Sequence, residues 1–169
     1  HLRMEGKYQI REINQDYEKH EHIIFKFNDQ TSLRYHDTRK FGRMDLRTKD
    51  DYLTTKPLVQ LGSEPFYMKQ DELYNKIHKK AVPIKTALLD QTIIAGLGNI
   101  YVDEVLFMSK ILPTRLTNTI TKLEANNIQD NSVIVLNKAL KLGGTTIRTF
   151  SATDMHGKFQ THLLVHTKA

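Results

Sequence analysis

The sequence contains no cysteine and no tryptophan among its 169 residues, and only four prolines. Without cysteine there is neither a disulfide nor a cysteine-based zinc site within these bounds, a composition consistent with a cytosolic origin. No apolar run approaches the roughly 20 residues that cross a bilayer. No apolar stretch of leader length follows His1-Leu2-Arg3-Met4, so the start does not read as a secretory signal. A start at His rather than Met is instead expected of a piece of something longer. Acidic residues are the scarcer sign, 19 against 25 basic, giving a net charge of +6 and a pI near 9.4. That balance favours a polyanionic partner such as nucleic acid or an anionic membrane surface, although a slightly basic protein with no such partner fits charge alone equally well. The basic residues are spread along the chain, so no disordered basic arm is implied. The apolar fraction, 39%, is enough to bury one large core or two small ones.

Residues 1 to about 65 read as β structure. In His22-Ile23-Ile24-Phe25-Lys26-Phe27, alternation puts Ile23, Phe25 and Phe27 on one face, and Thr31 to Tyr35 returns with Leu33 and Tyr35 sharing a face. Asn28-Asp29-Gln30 is the turn, and the hairpin is expected to have one buried and one wet side. Leu61-Gly62-Ser63-Glu64-Pro65 breaks the pattern and marks a domain boundary, with 1–65 and 66–169 on either side. Beyond it the period becomes helical. Asp71 to Lys80 carries Leu73 and Ile77, Ile84 to Ile94 follows Pro83, and a third helix runs from near Asn99 toward Pro113. Thr121 and Glu124 have capping-box spacing at the head of the longest helix, which stops at Gly143-Gly144. Leu163-Leu164-Val165 is an apolar stretch with no partner strand.

Three segments carry chemistry. In Ala95-Gly96-Leu97-Gly98-Asn99-Ile100-Tyr101, two glycines allow a tight turn and Asn99 is a favoured N-cap. The free N–H groups of such a helix start make a phosphate seat, although an ordinary helical corner has the same sequence. Tyr35-His36-Asp37-Thr38-Arg39-Lys40-Phe41-Gly42-Arg43 places three cations around one aromatic. That suits a surface on which Arg and Lys meet phosphates or base edges and Phe wedges or stacks; a solvated loop with Phe41 tucked inward is the bland alternative. In His1-Leu2-Arg3-Met4-Glu5-Gly6-Lys7, a thioether between cations could fill an irregular cavity, although Met is more often plain core. His20 and His22 share a strand face without a third ligand, so metal binding is not expected. Asp103 and Glu104 diverge by about 100° on a helix and are expected to be solvated rather than catalytic.

Taken together, His1 to Met4, Lys19 to His22, Asp37 to Gly42, Leu61 to Pro65, Gly98 to Glu104 and Gly143 to Thr146 resemble, in order and spacing, the formamidopyrimidine-DNA glycosylase family. The resemblance covers essentially the whole chain. It implies an α+β fold: the C-terminal half of an N-terminal β-sandwich, then a helix–two-turns–helix domain, with the family's zinc ribbon absent. It also implies roles. Met4, Arg39 and Phe41 look like the intercalation set, Met4 filling the vacated stack, Arg39 pairing with the orphaned cytosine and Phe41 wedging beside it. His1, His20 and Asn99 match phosphate contacts, with Lys85 a companion. Glu5 and the loop Thr145, Thr146, Ile147, Arg148, Thr149 and Phe150 resemble the part that receives flipped 8-oxoguanine. Where a basic residue is expected ahead of the second helix the chain has Ala81, and Lys79 or Lys80 would have to serve.

The departures bear on activity. The family's amine nucleophile is an N-terminal proline followed by glutamate, aided by a lysine, and none of these matches here. The resemblance therefore implies that this chain is part of a bifunctional DNA glycosylase/AP lyase for oxidised purines, acting by base flipping, imine formation and β,δ-elimination. By itself it would be inactive, with no catalytic residue and no cofactor; the longer parent would carry one structural zinc. The implied partner is damaged double-stranded DNA, bound by a monomer in the bacterial cytoplasm near the nucleoid, with no membrane. Two rivals are an oxidised-pyrimidine glycosylase resembling endonuclease eight, whose wedge residues cluster in one loop, and a non-catalytic nucleic-acid-binding module of the same helical fold.

Overall fold

A computed structural model describes residues 1–145 and 157–165. The described residues form two compact units, 1–48, and 49–145 with 157–165.

The first unit is built on three antiparallel strands, β1 (Lys7–Glu12), β2 (Glu21–Lys26) and β3 (Thr31–His36), in the order β1-β3-β2. The β2–β3 turn forms at the expected place. Gln30 takes a left-handed backbone, and the Asp29 carboxylate accepts from the Thr31 N–H (3.0 Å) and hydroxyl (2.6 Å). Register places Tyr8 and Ile23 beside Tyr35, and Ile10 and Phe25 beside Leu33, so these six side chains share one face.

The expectation of one buried apolar side and one wet polar side needs correction. On the apolar face Ile10 is 73% exposed and Phe25 40%, whereas on the other face Ser32 and Arg34 are fully buried. Residues 12–18 supply the reason. The Arg34 guanidinium donates to the carbonyls of Glu12 (3.1 Å), Gln15 (2.6 Å) and Asp16 (2.9 Å), and pairs with Glu21 at 3.0 Å. Burial pushes the Glu21 carboxyl up, but the Glu18 N–H and the Arg34 cation hold it below its ordinary range. A period-two pattern cannot distinguish a cation facing water from one facing a ring of carbonyls.

The second unit is helical: α1 (Glu72–Ile77), α2 (Ile84–Leu89), α3 (Asn99–Met108) and α4 (Lys122–Lys141). Among the described residues no strand lies between 37 and 65, contrary to the β reading of that stretch. Leu61–Pro65 is instead stitched to the loop between α2 and α3, Gly62 N–H donating to Gln91 O (2.8 Å) and Ala95 N–H to Ser63 O (3.1 Å). Leu73, Ile77, Leu88, Leu106 and Ile128 are fully buried together, each contributing about 1.5–3 kcal/mol relative to exposure.

Helix α2 is shorter than expected. The Asp90 carboxylate accepts from Thr92 N–H (2.9 Å) and hydroxyl (2.7 Å), a local bond that ends the helix while Ile93 and Ile94 remain in the core. The capping box of α4 is present, Thr121 N–H donating to Glu124 (2.8 Å) and Glu124 N–H to Thr121 Oγ1 (3.3 Å). Its end is closed by Gly143 N–H to Leu140 O (3.1 Å) and Gly144 N–H to Ala139 O (2.8 Å), both glycines left-handed.

Glu104 is buried, not solvated as expected. Its carboxylate accepts the N–H groups of Leu164 (2.7 Å) and Val165 (2.9 Å), fastening the tail while Leu163 enters the core. No helix among the described residues is long and apolar enough to cross a membrane.

Candidate nucleic-acid interface

In the sheet unit, the segment 37–43 leaves β3 and folds back beside the N-terminal turn. His1 N-terminal amine and Arg43 N–H exchange hydrogen bonds with each other's carbonyls at 2.8 and 2.9 Å, which fixes the two segments side by side. The result gathers residues far apart in sequence. The Arg39 guanidinium lies 4.7 Å from the Phe41 ring centroid and 3.5 Å from the Met4 sulfur. Met4 is 67% exposed and Phe41 52%. An exposed thioether, guanidinium and phenyl ring thus form one patch. Two apolar tips and a planar cation are the chemistry that enters a base stack and hydrogen-bonds a base edge.

The loop is ordered from below by Asp37, which is 1% exposed. Its carboxylate accepts from Gly42 N–H (2.9 Å), the Tyr35 hydroxyl (2.8 Å) and Arg39 N–H (3.1 Å). The Gly42 N–H, aided by Tyr35 and Arg39, outweighs burial and holds the carboxyl down at about 2. Burial, reinforced by the Asp37 charge, pushes the Tyr35 hydroxyl up to about 12.

His20 occupies a left-handed turn just before β2, with its ring 5.8 Å from that of His36 and 6.4 Å from that of His22. Loss of hydration, then the cations Lys19 and Lys40 and the neighbouring imidazoles, lower its pKa below the ordinary value. The surroundings are electropositive. His1 accepts the Arg3 N–H at Nδ1 (2.9 Å), and Glu5 is half-buried in the same turn.

In the helical unit the Gly-rich corner precedes α3. Gln91 staples it, donating to Leu97 O (2.9 Å) and accepting Gly96 N–H (2.9 Å). Gly98, extended at φ −114° and ψ 178°, is the cap residue, and Asn99 is the first helical residue with an exposed side chain, not the N-cap. The first N–H groups of the helix have no intrahelical acceptor and point out of this corner. Lys85 is engaged by Asp103 at 2.6 Å, so Asp103 is an ion-pair partner rather than a solvated acid. Lys79, Lys80 and Ala81 are exposed. Thr145 lies 3.4 Å from the Tyr101 hydroxyl; Thr146, Ile147, Arg148, Thr149 and Phe150 lie outside the described residues.

The structure brings Met4, Arg39 and Phe41 together and sets His1 on the same pair of segments. Sequence reading passed over Tyr35, Asp37 and Gln91 as working residues. An acid two residues before an arginine in a Gly-ended loop was the available signal for Asp37. The residues do not fit a zinc ion: there is no cysteine, and among the described residues no three His, Asp or Glu side chains converge.

Residues 1–44 match the family model for the formamidopyrimidine-DNA glycosylase N-terminal domain, and residues 61–151 that for its H2TH domain. The formamidopyrimidine-DNA glycosylase of Lactococcus lactis is 45% identical over 170 residues, covering 99% of this chain and 62% of the relative. That of Ligilactobacillus salivarius is 49% identical over 165 residues, covering 95% and 59%. The chain thus spans about three-fifths of the length of these relatives. Among solved structures, a mutant Lactococcus lactis enzyme complexed with Fapy-dG-containing DNA superposes with a TM-score of 0.86 at 44% identity, over 96% of this chain and 60% of that one. A complex of the Lactococcus lactis enzyme with abasic-site DNA gives 0.85 at the same identity and coverage. The matched models and the sustained identity along the chain place it in the formamidopyrimidine-DNA glycosylase family.

Proposed function

We propose that this chain is the DNA-reading part of a DNA repair glycosylase with AP lyase activity that excises oxidised purines, 8-oxoguanine and formamidopyrimidines, from duplex DNA in the bacterial cytoplasm. The convergence of Met4, Arg39 and Phe41 on one exposed patch carries the reading. Met4 and Phe41 offset the unstacking of an extruded base, on the order of a few kcal/mol per step. Arg39 reads the estranged base. His1, His20 and the Asn99 corner hold phosphates, which supplies position rather than sequence information. In this reading Lys85 turns to DNA by exchanging Asp103 for a phosphate, Lys79 or Lys80 supplies the basic contact ahead of α2, and Glu5 with residues 145–150 receives the lesion. Imine formation by an N-terminal proline is chemistry that these 169 residues do not supply, and one structural zinc belongs to the longer parent, outside them.

The test is equilibrium binding to duplexes bearing an abasic-site analogue opposite each of the four bases. Arg39→Ala is expected to flatten the preference among opposite bases by about 1–3 kcal/mol. Phe41→Ala is expected to weaken binding to all four duplexes by a similar factor. A wild-type ranking in Arg39→Ala makes Arg39 a phosphate clamp and rejects the intercalation assignment.

A further inference from the structure

Asp37 sits where four pieces of the sheet unit meet. Through its backbone it is tied to the histidine turn, its N–H donating to His20 O (3.0 Å) and its carbonyl contacting His22 Nε2 (2.8 Å). Through its carboxylate it gathers the Arg39 and Gly42 N–H groups, one at each end of the segment that exposes Phe41. The Tyr35 hydroxyl, which also donates to Asp37, lies under both recognition segments. A Cβ at Gly42 would land on that hydroxyl, and a Cβ at Gly6 would lie 2.7 Å from it. Gly6 closes the turn that carries Met4, donating its N–H to Leu2 O (3.1 Å). Two close approaches, one from each segment, therefore rest on a single phenol.

We propose that the buried Tyr35–Asp37 pair is the positioning device of this surface, setting the spacing of Met4, Arg39 and Phe41 and thereby the discrimination of the base opposite the lesion. Neither side chain touches DNA in this scheme; each acts through the backbone of the segment above it. The inference rests on the DNA-reading function proposed for the patch. A carboxylate is needed because three donors converge on two oxygens, and an ionised acid is acceptor-only. Asparagine supplies one oxygen and turns an NH2 group toward a donor, which leaves at least one loop N–H without an acceptor.

The experiment measures the opposite-base ranking of the protein for the wild type, Arg39→Ala, Asp37→Asn and Tyr35→Phe. A general loss of folded protein lowers apparent affinity for all four duplexes equally and leaves their ranking intact, so ranking is the diagnostic readout. Arg39→Ala is expected to compress the ratio between best and worst opposite base on the order of tenfold. Asp37→Asn is expected to reproduce most of that compression with the Arg39 side chain still present, and Tyr35→Phe, which keeps the carboxylate, a smaller part of it. Should Asp37→Asn fail to fold, Tyr35→Phe decides alone. Wild-type ranking in the folded variants of this pair, beside a flattened Arg39→Ala, overturns the positioning role and leaves the DNA-reading function standing. Wild-type ranking in Arg39→Ala rejects both.

Discussion

The two compact units solve the same problem, how to fix a surface segment, with opposite chemistry. In the sheet unit the fully buried side chains are mostly polar: Ser32 and Arg34 on one face, with Asp37 just past the strand. Arg34 makes bonds to three backbone carbonyls and one carboxylate, while Ile10 on the apolar face stays exposed. In the helical unit the anchoring is mostly apolar, with Leu73, Leu88, Leu106 and Ile128 buried together, while polar groups cap helix ends or, as Glu104 does, fasten the tail. A small sheet with little apolar volume cannot order a loop by packing, so it orders one by converging donors on a buried charge. The difference predicts different failure modes: loss of one partner leaves an unsatisfied charge in the first unit and an empty volume in the second.

The largest effect is expected from Arg34→Met. Removing the cation leaves the Glu21 carboxylate buried without its partner, a change that costs about 3–5 kcal/mol. Hydrogen–deuterium exchange should accelerate across residues 7–36, and adding Glu21→Gln should restore part of the protection. A single variant no worse than the double would show that the charge pair is not what holds this sheet.

Somewhat smaller is Leu88→Ala, expected to cost about 2–5 kcal/mol in unfolding followed by helical circular dichroism. Leu88→Met, which conserves volume, should cost less than about 1.5 kcal/mol. Equal losses for the two would mean that shape at this site, rather than volume, sets the stability of the helical unit.

The smallest effect is on acid stability, and it concerns both units. Asp37 is held at about 2 by Gly42, Tyr35 and Arg39. Glu72 is held there by the Lys69 N–H, Lys76 and Ser63, and Glu124 by Arg115 and the Thr121 N–H. A carboxyl whose folded pKa lies below its unfolded value contributes stability above the unfolded value and loses it as pH falls through the folded one. Stability is therefore expected to decline between about pH 4 and pH 2, and the partial exposure of the Glu72 and Glu124 pairs screens their share. Segment-resolved exchange at pH 2.5 should show Asp37→Asn abolishing the acid-dependent part for residues 37–43. Unchanged acid sensitivity there would remove Asp37 from the loop's support.

Much of the local architecture was legible in residue order. Asn28-Asp29-Gln30 predicted the β2–β3 turn, Thr121 and Glu124 predicted the head of α4, and Gly143-Gly144 its end, because each rests on bonds within a few residues. The patch of Met4, Arg39 and Phe41 came from family resemblance; its physical basis, the pairing of segments around His1 and Arg43, spans 42 residues and has no periodic signature. Asn99 shows the limit at short range: a favoured capping residue is the first helical residue, with Gly98 extended before it as the cap.

What the sequence determined alone was the β2–β3 hairpin and the helices, since propensity and capping are properties of neighbours along the chain. Tertiary structure decided which polar side chains went inside. Arg34 found carbonyls 18–22 residues away and Glu104 found backbone amides 60 and 61 residues on. Asp37 found the hydroxyl of Tyr35 wedged beneath two glycines. A buried charge is tolerated only where its partners already converge, and that convergence is a property of the folded chain.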